Sequence, residues 1–169
     1  APEISCPSDI ELTCNASTSP ANTGVPIATD NCDPDLDMDY TDVTKTISSC
    51  ETTIERTWTA TDDCGNTTSC VQIITIIDDI APVLDCPAGV TINCEESSDP
   101  ANTGQATATD NCDSAIVTYT DSLDQISNCE LDIYRTWIAA DDCGNTTSCV
   151  QVIKVLDLEA PSISCPIDV

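Results

Sequence analysis

The sequence predicts an all-β fold, a β-sandwich that is built twice in tandem. No stretch shows helical periodicity, so helices are not expected to form the core. Runs of Thr, Ile and Val are interrupted about every ten residues by Pro, Gly, Asn or Asp, as in short strands joined by turns. Long motifs also recur at an almost constant spacing. Together these features favour two sandwich domains of similar design.

The repeat defines the domain organisation. "DDCGNTTSCVQ" stands at 62–72 and again at 141–151, and "ATDNCD" stands at 28–33 and 108–113. The two copies have the same spacing except for one residue missing between Cys112 and Cys129, which indicates a loop. We predict copy one at 1–80, copy two at 81–159 and the start of a third copy at 160–169, each copy of domain size. The chain is either a mature or truncated protein or, as we favour, a window from a longer tandem array.

Charge restricts the partners. Thirty acidic residues face four basic ones, for a net charge of −26. Nucleic acid and anionic membrane surfaces are therefore excluded as partners, because both require Lys and Arg. No apolar run is long enough to cross a bilayer, so direct membrane insertion is not expected. Divalent cations would relieve the self-repulsion of such a chain.

The cysteines indicate disulfide bonds. Six occur at matching places in each copy, and the thirteenth, Cys165, corresponds to Cys6 and Cys86. A zinc site is disfavoured because the chain has no histidine and no C-x-x-C pair. We expect three disulfides per copy and an oxidising, extracellular or cell-surface location. Each bond would stabilise the fold by about 2–4 kcal/mol.

The strands of copy one are predicted from the alternating pattern and the turn residues. The turn "DDCGN" should make a hairpin of the last two strands. Trp58 and Trp137 are expected in the core, with Arg56 and Arg135 on the same face, each paired with a carboxylate or with carbonyl groups. The predicted strands are 3–6 with 9–13, 24–29, 37–44, 52–60 and 68–77.

Several motifs resemble the hyalin repeat (HYR) family and its bacterial relatives, which recur in long surface proteins of Bacteroidota. They are "CP" before a short strand, "ATDNC", "RTWTATDDCGNTTSCVQIITIID" and the closing "AP". The resemblance implies tandem immunoglobulin-like β-sandwich domains, used in adhesion or as extracellular spacers, with no catalytic residue. Six cysteines per copy exceed the usual number, so bond pairing cannot be transferred from the family.

The bond pairing is predicted from the topology of such a sandwich. The loop after the second strand should meet the last hairpin loop at one end, the starts of the second and penultimate strands should meet at the other, and the first strand should lie beside the last. The predicted pairs are Cys6–Cys70, Cys14–Cys50 and Cys32–Cys64, with Cys86–Cys149, Cys94–Cys129 and Cys112–Cys143 in copy two.

Acidic and amide side chains in two loops and the linker form a candidate calcium site, because Ca²⁺ binds six to eight oxygen ligands. Alternatively, Asp and Asn only shape turns there. The candidate ligands are Asp30, Asn31, Asp33, Asp62, Asp63, Asn66, Asp78, Asp79, Asp110, Asn111, Asp113, Asp141, Asp142 and Asn145.

Two functions remain open. One is a structural stalk, fibre or filament stiffened by calcium, whose partners are neighbouring repeats or copies of itself. The other is an adhesin that recognises a glycan or a protein, for which the divergent segments 33–50 and 113–129 are candidate binding regions. An enzyme is disfavoured, because paired acids alone could serve a glycosidase but the chain has no His and no Ser/His/Asp set.

An outward apolar row on the last strand is a candidate assembly surface. Either a loop of the same domain covers this row or another copy packs on it. Its members are Val71, Ile73, Ile77, Val150, Val152 and Leu156.

Overall fold

The computed structural model describes residues 1–164. Cys165 and the remainder of the predicted third copy lie outside the described residues. Within them the chain has the predicted all-β fold of tandem immunoglobulin-like sandwiches. No helix of the described part is both long and apolar enough to cross a membrane.

Copy one forms the strands that the alternating pattern predicts. The missing residue of copy two falls between its third and fourth strands, so the predicted loop is confirmed. The strands of copy one are β1 (Glu3–Ser5), β2 (Ile10–Thr13), β3 (Ile27–Thr29), β4 (Asp37–Ser48), β5 (Glu51–Thr61) and β6 (Thr67–Ile77). Those of copy two are β7 (Val83–Asp85), β8 (Val90–Asn93), β9 (Thr107–Thr109), β10 (Ile116–Ser127), β11 (Glu130–Ala140) and β12 (Thr146–Leu156).

Two one-turn helices were not predicted. They are α1 (Pro20–Thr23) and α2 (Pro100–Thr103), and each begins with proline at its first turn. Proline suits this position because its fixed φ is helical and its missing N–H is not needed there. A single turn is too short to show helical periodicity, so the pattern could not reveal either helix.

Each copy places a four-stranded sheet against a two-stranded one. In copy one the larger sheet has the order β2-β6-β5-β4, and β1 pairs with β3 in the smaller sheet. β2 runs parallel to β6, whereas the other neighbours are antiparallel. β6 therefore lies between β2 and β5, and β4 forms an edge. Copy two repeats this order with β8-β12-β11-β10 and β7-β9.

The chain divides into two compact units. Unit 1 contains Ala1–Ile80 and also two short segments of copy two, Asn111–Asp113 and Asp142–Asn145. Unit 2 contains Ala81–Asp110, Ser114–Asp141 and the chain from Thr146 onward. The main division thus coincides with the start of copy two in the sequence repeat.

The core of each copy surrounds one tryptophan and one arginine. Trp58 is 4% exposed and Arg56 is 1% exposed, which confirms both as buried. The Arg56 guanidinium donates to both carboxylate oxygens of Asp42 at 2.8 Å and lies 4.5 Å from the ring centre of Tyr40. The predicted pairing with a carboxylate is therefore confirmed, and Asp42 raises the pKa of Arg56 above its usual value.

A buried glutamine connects this core to the loops. Gln72 is fully buried. Its Nε2 donates to the carbonyls of Thr23 at 2.7 Å and Ser8 at 3.0 Å, and its Oε1 accepts a hydrogen bond from Trp58. These bonds satisfy the buried amide and fix α1 on the sheet.

The predicted assembly row is only partly exposed. Val71 and Val150 are 53% and 57% exposed, respectively. Asp9 accepts a hydrogen bond from the Ile73 backbone, and in copy two the segment around Gly89 lines a shallow pocket with Val152. A loop of the same domain therefore approaches this row in each copy. The remaining members, Ile73, Ile77, Val152 and Leu156, are half-buried.

Candidate functional site: the cysteine loops and their acids

The "DNC" turn is held by an aspartate. The Oδ1 atom of Asp30 accepts hydrogen bonds from the backbone N–H groups of Cys32 at 2.9 Å and Asp33 at 3.3 Å. The Asp30 side chain is only 3% exposed, and its Oδ2 atom lies 3.5 Å from the N-terminal amine. The bond from Cys32 is the main cause that lowers the pKa of Asp30 below its ordinary value. This geometry presents Cys32 at the surface in a defined turn.

The "DDCGN" turn uses the same device. Asp62 Oδ1 accepts from the backbone N–H groups of Cys64 at 3.0 Å and Asn66 at 2.8 Å. Asp62 Oδ2 accepts from the Asn66 side chain at 2.7 Å, and this bond is the main cause that lowers the pKa of Asp62. Gly65 completes the turn at a φ of 81°, a conformation that glycine adopts without strain.

The two turns meet, as the sandwich topology predicts. The backbone N–H of Asp63 donates to Asp33 Oδ2 at 2.7 Å and joins them. Cys32 and Cys64 line one cavity of about 210 Å³ between the turns. Its other lining residues are Asp30, Asp33, Pro34, Asp62 and Asp63.

Four disulfide bonds form among the described residues, and two of them match the predicted pairs. Cys6 is bonded to Cys70, and Cys86 is bonded to Cys149. In each copy this bond connects the loop after the first strand with the last strand. Each therefore closes its own copy.

The other predicted pairs are wrong. Cys14 is bonded to Cys112 and not to Cys50, and Cys50 is bonded to Cys143, so Cys112 and Cys143 are not bonded to each other. Both bonds lie within unit 1, because Cys112 and Cys143 belong to the short segments that group with it. In the sequence, each joins a cysteine of copy one to a cysteine of copy two.

The strand order explains why Cys14 and Cys50 do not pair. Thr13 and Glu51, their chain neighbours, both pair with Ile77 from opposite sides of β6. Cys14 and Cys50 are thus separated by two strand spacings, about 9–10 Å, whereas a disulfide requires Cα atoms within about 7 Å. The same order places β12 between Cys94 and Cys129, which excludes that predicted pair.

Four cysteines are free thiols within residues 1–164, and all are exposed. They are Cys32, Cys64, Cys94 and Cys129. The predicted pair Cys32–Cys64 is therefore absent, although both residues line the same cavity. Their counterparts in copy two, Cys112 and Cys143, are half-buried and each bonded to a different cysteine of copy one.

Carboxylates also lie close to the disulfides Cys14–Cys112 and Cys50–Cys143. Asp78 and Asp113 each place an oxygen within 4.8 Å of the other and of the Cys143 sulfur. Asn111 donates to the sulfurs of Cys14 at 3.1 Å and Cys112 at 3.0 Å. Since the Cys143 sulfur is in a disulfide, the available donors are oxygens, the ligands that a hard cation such as Ca²⁺ binds.

The remaining predicted calcium ligands take several positions. Asn145 donates to the Asp78 carbonyl at 3.3 Å, so its amide lies near this group. Asp141 is buried, whereas Asp79 and Asp142 are exposed. Asp110 belongs to unit 2. In copy one Asn31, Asp63 and Asn66 are exposed at the edge of the open turns.

The first copy matches a known family. A family model described as "HYR-like domain with 4 cysteines" matches residues 2–76. Copy one is therefore similar to HYR-like domains, as its motifs indicate.

A mouse protein is a distant relative. The chain is 31% identical over 155 residues to "Sushi, von Willebrand factor type A, EGF and pentraxin domain-containing protein 1" of Mus musculus. The match covers 88% of this chain but only 4% of the length of that relative. Neither this relative nor the family match supports a Bacteroidota source.

Solved cadherin structures are similar at low identity. Drosophila N-cadherin EC1-4 has a TM-score of 0.42 and 15% identity, covering 94% of this chain and 50% of that one. Protocadherin Gamma B2 domains 1-5 have a TM-score of 0.43 and 12% identity, covering 95% and 40%.

Proposed function

We propose that the chain is a structural repeat module of an extracellular protein, in which HYR-like domains form a stalk or filament. The observation that carries this proposal is the pair of bonds Cys14–Cys112 and Cys50–Cys143 between consecutive copies. Covalent bonds of this kind suit a module that bears mechanical force or keeps a stalk extended.

The chemistry of the chain supports an extracellular location. Disulfides persist in oxidising compartments and are rare in the cytosol. The net charge of −26 keeps such a module soluble and separate from anionic surfaces. The name of the mouse relative includes Sushi, EGF and pentraxin domains, although the chain spans only 4% of that protein. A catalytic role is not part of the proposal, because Asp30 and Asp62 hold backbone turns and Asp42 pairs with Arg56.

Calcium binding is a further part of the proposal. Asp78 and Asp113 of unit 1 supply two carboxylates near the bonded cysteines. A bound Ca²⁺ would neutralise charge there and restrict movement of residues 78 and 113. The hard oxygen donors support this choice of cation.

Single-molecule stretching tests the structural role. The chain is pulled from its ends under oxidising and reducing conditions. Oxidised chains should release much less contour length, because the Cys6–Cys70 bond alone withholds 64 residue spacings, which is about 220 Å at about 3.4 Å per residue. Equal extension in both conditions would contradict a covalently closed load-bearing module.

A second function, adhesion, is favoured by the edge strands β4 and β10. Both are exposed at nearly every position and carry apolar side chains at the surface, including Val43, Ile47, Leu123 and Ile126. They lie in the divergent segments 33–50 and 113–129. Val43→Lys and Leu123→Lys variants should lose attachment to glycan- or protein-coated surfaces while remaining folded. Unchanged attachment would reject these strands as the contact.

A further inference from the structure

We propose that the four exposed thiols form disulfide bonds with adjoining copies of this repeat, so that the same two bonds join each copy to the next. Cys32 and Cys64, the receiving cysteines, bond to the preceding copy. Cys94 and Cys129, the outgoing cysteines, bond to the following copy. The partner is in each case another copy of the same repeat. This inference goes beyond the structural role, because it specifies how every pair of consecutive copies is joined.

The two observed bonds define the pairing rule. Cys14 of copy one is bonded to Cys112, the counterpart of Cys32, and Cys50 is bonded to Cys143, the counterpart of Cys64. The counterparts of Cys14 and Cys50 in copy two are Cys94 and Cys129. When the rule is shifted by one copy, these two cysteines pair with the counterparts of Cys32 and Cys64 in a third copy.

One of the two outgoing positions has the same backbone hydrogen bond in both copies. Asp78 donates its backbone N–H to the Cys50 carbonyl at 3.0 Å, and Asp157 donates to the Cys129 carbonyl at 3.1 Å. Cys94 donates to the Leu156 carbonyl at 3.0 Å and so lies beside the end of β12. The difference lies in exposure. Cys94 and Cys129 are exposed thiols, whereas Cys14 and Cys50 are half-buried in bonds.

The receiving cysteines are held in defined turns before any disulfide forms. Asp30 and Asp62 hold Cys32 and Cys64 in their turns through backbone hydrogen bonds, although neither thiol is bonded. Both residues line one cavity of about 210 Å³. Asn31 precedes Cys32 as Asn111 precedes Cys112, and the Asn111 amide contacts both sulfurs of the completed bond.

Local closure is a poor alternative for the outgoing pair. β12 lies between the strands that carry Cys94 and Cys129, so about 9–10 Å separates their positions. A bond would require the strands to move, because disulfide Cα atoms lie within about 7 Å. The receiving pair, Cys32 and Cys64, could close locally, and the experiment below tests that outcome.

The chemistry balances with a disulfide-containing oxidant such as oxidised glutathione. A thiolate of one copy attacks the oxidant and forms a mixed disulfide, releasing one thiol. The thiolate of the adjoining copy then displaces the second thiol and forms the S–S bond between copies. Formation of each bond thus transfers two electrons to the oxidant, and the two halves of the oxidant leave as thiols.

The test uses two chains joined in register, residues 1–159 followed directly by 1–169, so that Ala1 of the second segment takes the place of Ala160. The joined chain is folded at low concentration with glutathione redox buffer, alkylated, and mapped by mass spectrometry without reduction. Peptides linking Cys94 to Cys32 and Cys129 to Cys64 across the new joint are expected. The two segments give identical Cys32 and Cys64 peptides, so about half of each should be recovered alkylated, because no copy precedes the first segment.

A matched variant provides the control. In the joined chain, Cys94→Ser with Cys129→Ser should restore alkylation of Cys32 and Cys64 at the joint, while the Cys6–Cys70 bond of every copy still reports folding. Recovery of Cys32–Cys64 peptides in place of the Cys94–Cys32 and Cys129–Cys64 peptides would overturn the proposal. Full alkylation of these cysteines in a chain with intact Cys6–Cys70 bonds would overturn it as well.

Discussion

The loops of copy one and copy two have nearly the same sequence but different chemical states. In copy one Cys32 and Cys64 are exposed thiols, whereas in copy two Cys112 and Cys143 are half-buried and bonded. The motifs "ATDNCD" and "DDCGN" are identical in both, so the loop sequence does not determine the difference. The difference is one of bonding, since Cys112 and Cys143 are bonded to Cys14 and Cys50 of copy one.

The largest expected effect is a loss of stability when a loop cysteine is replaced in copy two but not when its counterpart is replaced in copy one. Cys143→Ser should lower the free energy of unfolding by about 2–4 kcal/mol, because it removes a bond that restricts the unfolded chain. Cys64→Ser changes an exposed thiol and should alter stability by less than about 0.5 kcal/mol. Urea unfolding of both variants measures this contrast. Equal losses would show that the two loops do not differ as described.

Calcium should distinguish the same two regions. At a concentration one hundred times its Kd, Ca²⁺ should stabilise the chain by about 2.7 kcal/mol per site, and a chelator should reverse the effect. Asp113→Asn should remove this shift, because Asp113 lies beside Asp78. Asp33→Asn, the counterpart change in copy one, should preserve it. Calorimetry with and without Ca²⁺ checks both variants, and an unaltered melting temperature in the parent chain would reject the site.

A third change should affect both regions equally. Gly65 and Gly144 have φ values of 81° and 85°, and a Cβ atom at either position would meet no atom within 4 Å. Alanine should therefore cost about 1–2 kcal/mol at each site through backbone strain alone. Denaturant unfolding of the two single variants measures these costs. A much larger cost at Gly144 would indicate that the bonded turn has a different local geometry.

The smallest expected effect concerns acid. The pKa of Asp62 is lowered below its ordinary value of 3.8, chiefly by the Asn66 side chain. Its ionised form therefore stabilises the fold above about pH 3.8, and this contribution is lost as the pH falls through the lower folded pKa. Asp62→Asn should show a weaker loss of stability below pH 3.8 than the parent chain. Urea midpoints measured between pH 5 and pH 2 would contradict this if both chains lose stability in parallel.

Much of the fold follows from local pattern. Alternation of Ile, Val and Thr predicted every strand of the large sheet, and the shared face of Trp58 and Arg56 predicted a buried pair with a carboxylate. These features depend on residues within one or two strands. The one-turn helices escaped prediction because four residues are too few to show a period.

The disulfides of the candidate site could be predicted only in part. Cys6–Cys70 was predicted correctly, although β1 pairs with β3 in the smaller sheet and does not lie beside β6 as expected. Cys14 required two facts that the pattern lacks. One is that β6 lies between β2 and β5, which keeps Cys14 and Cys50 apart. The other is that each copy contains the same cysteines, so the sequence does not distinguish a bond within a copy from one between copies. The two loops were correctly predicted to meet. The disulfide partners of their cysteines were not correctly predicted.

Peptide mapping of the oxidised 169-residue chain tests the central claim most directly. After alkylation and digestion without reduction, mass spectrometry should find Cys14 linked to Cys112 and Cys50 linked to Cys143. Cys32 and Cys64 should be recovered as alkylated peptides. A chain in which Cys14 is linked to Cys50, or Cys112 to Cys143, would contradict the account.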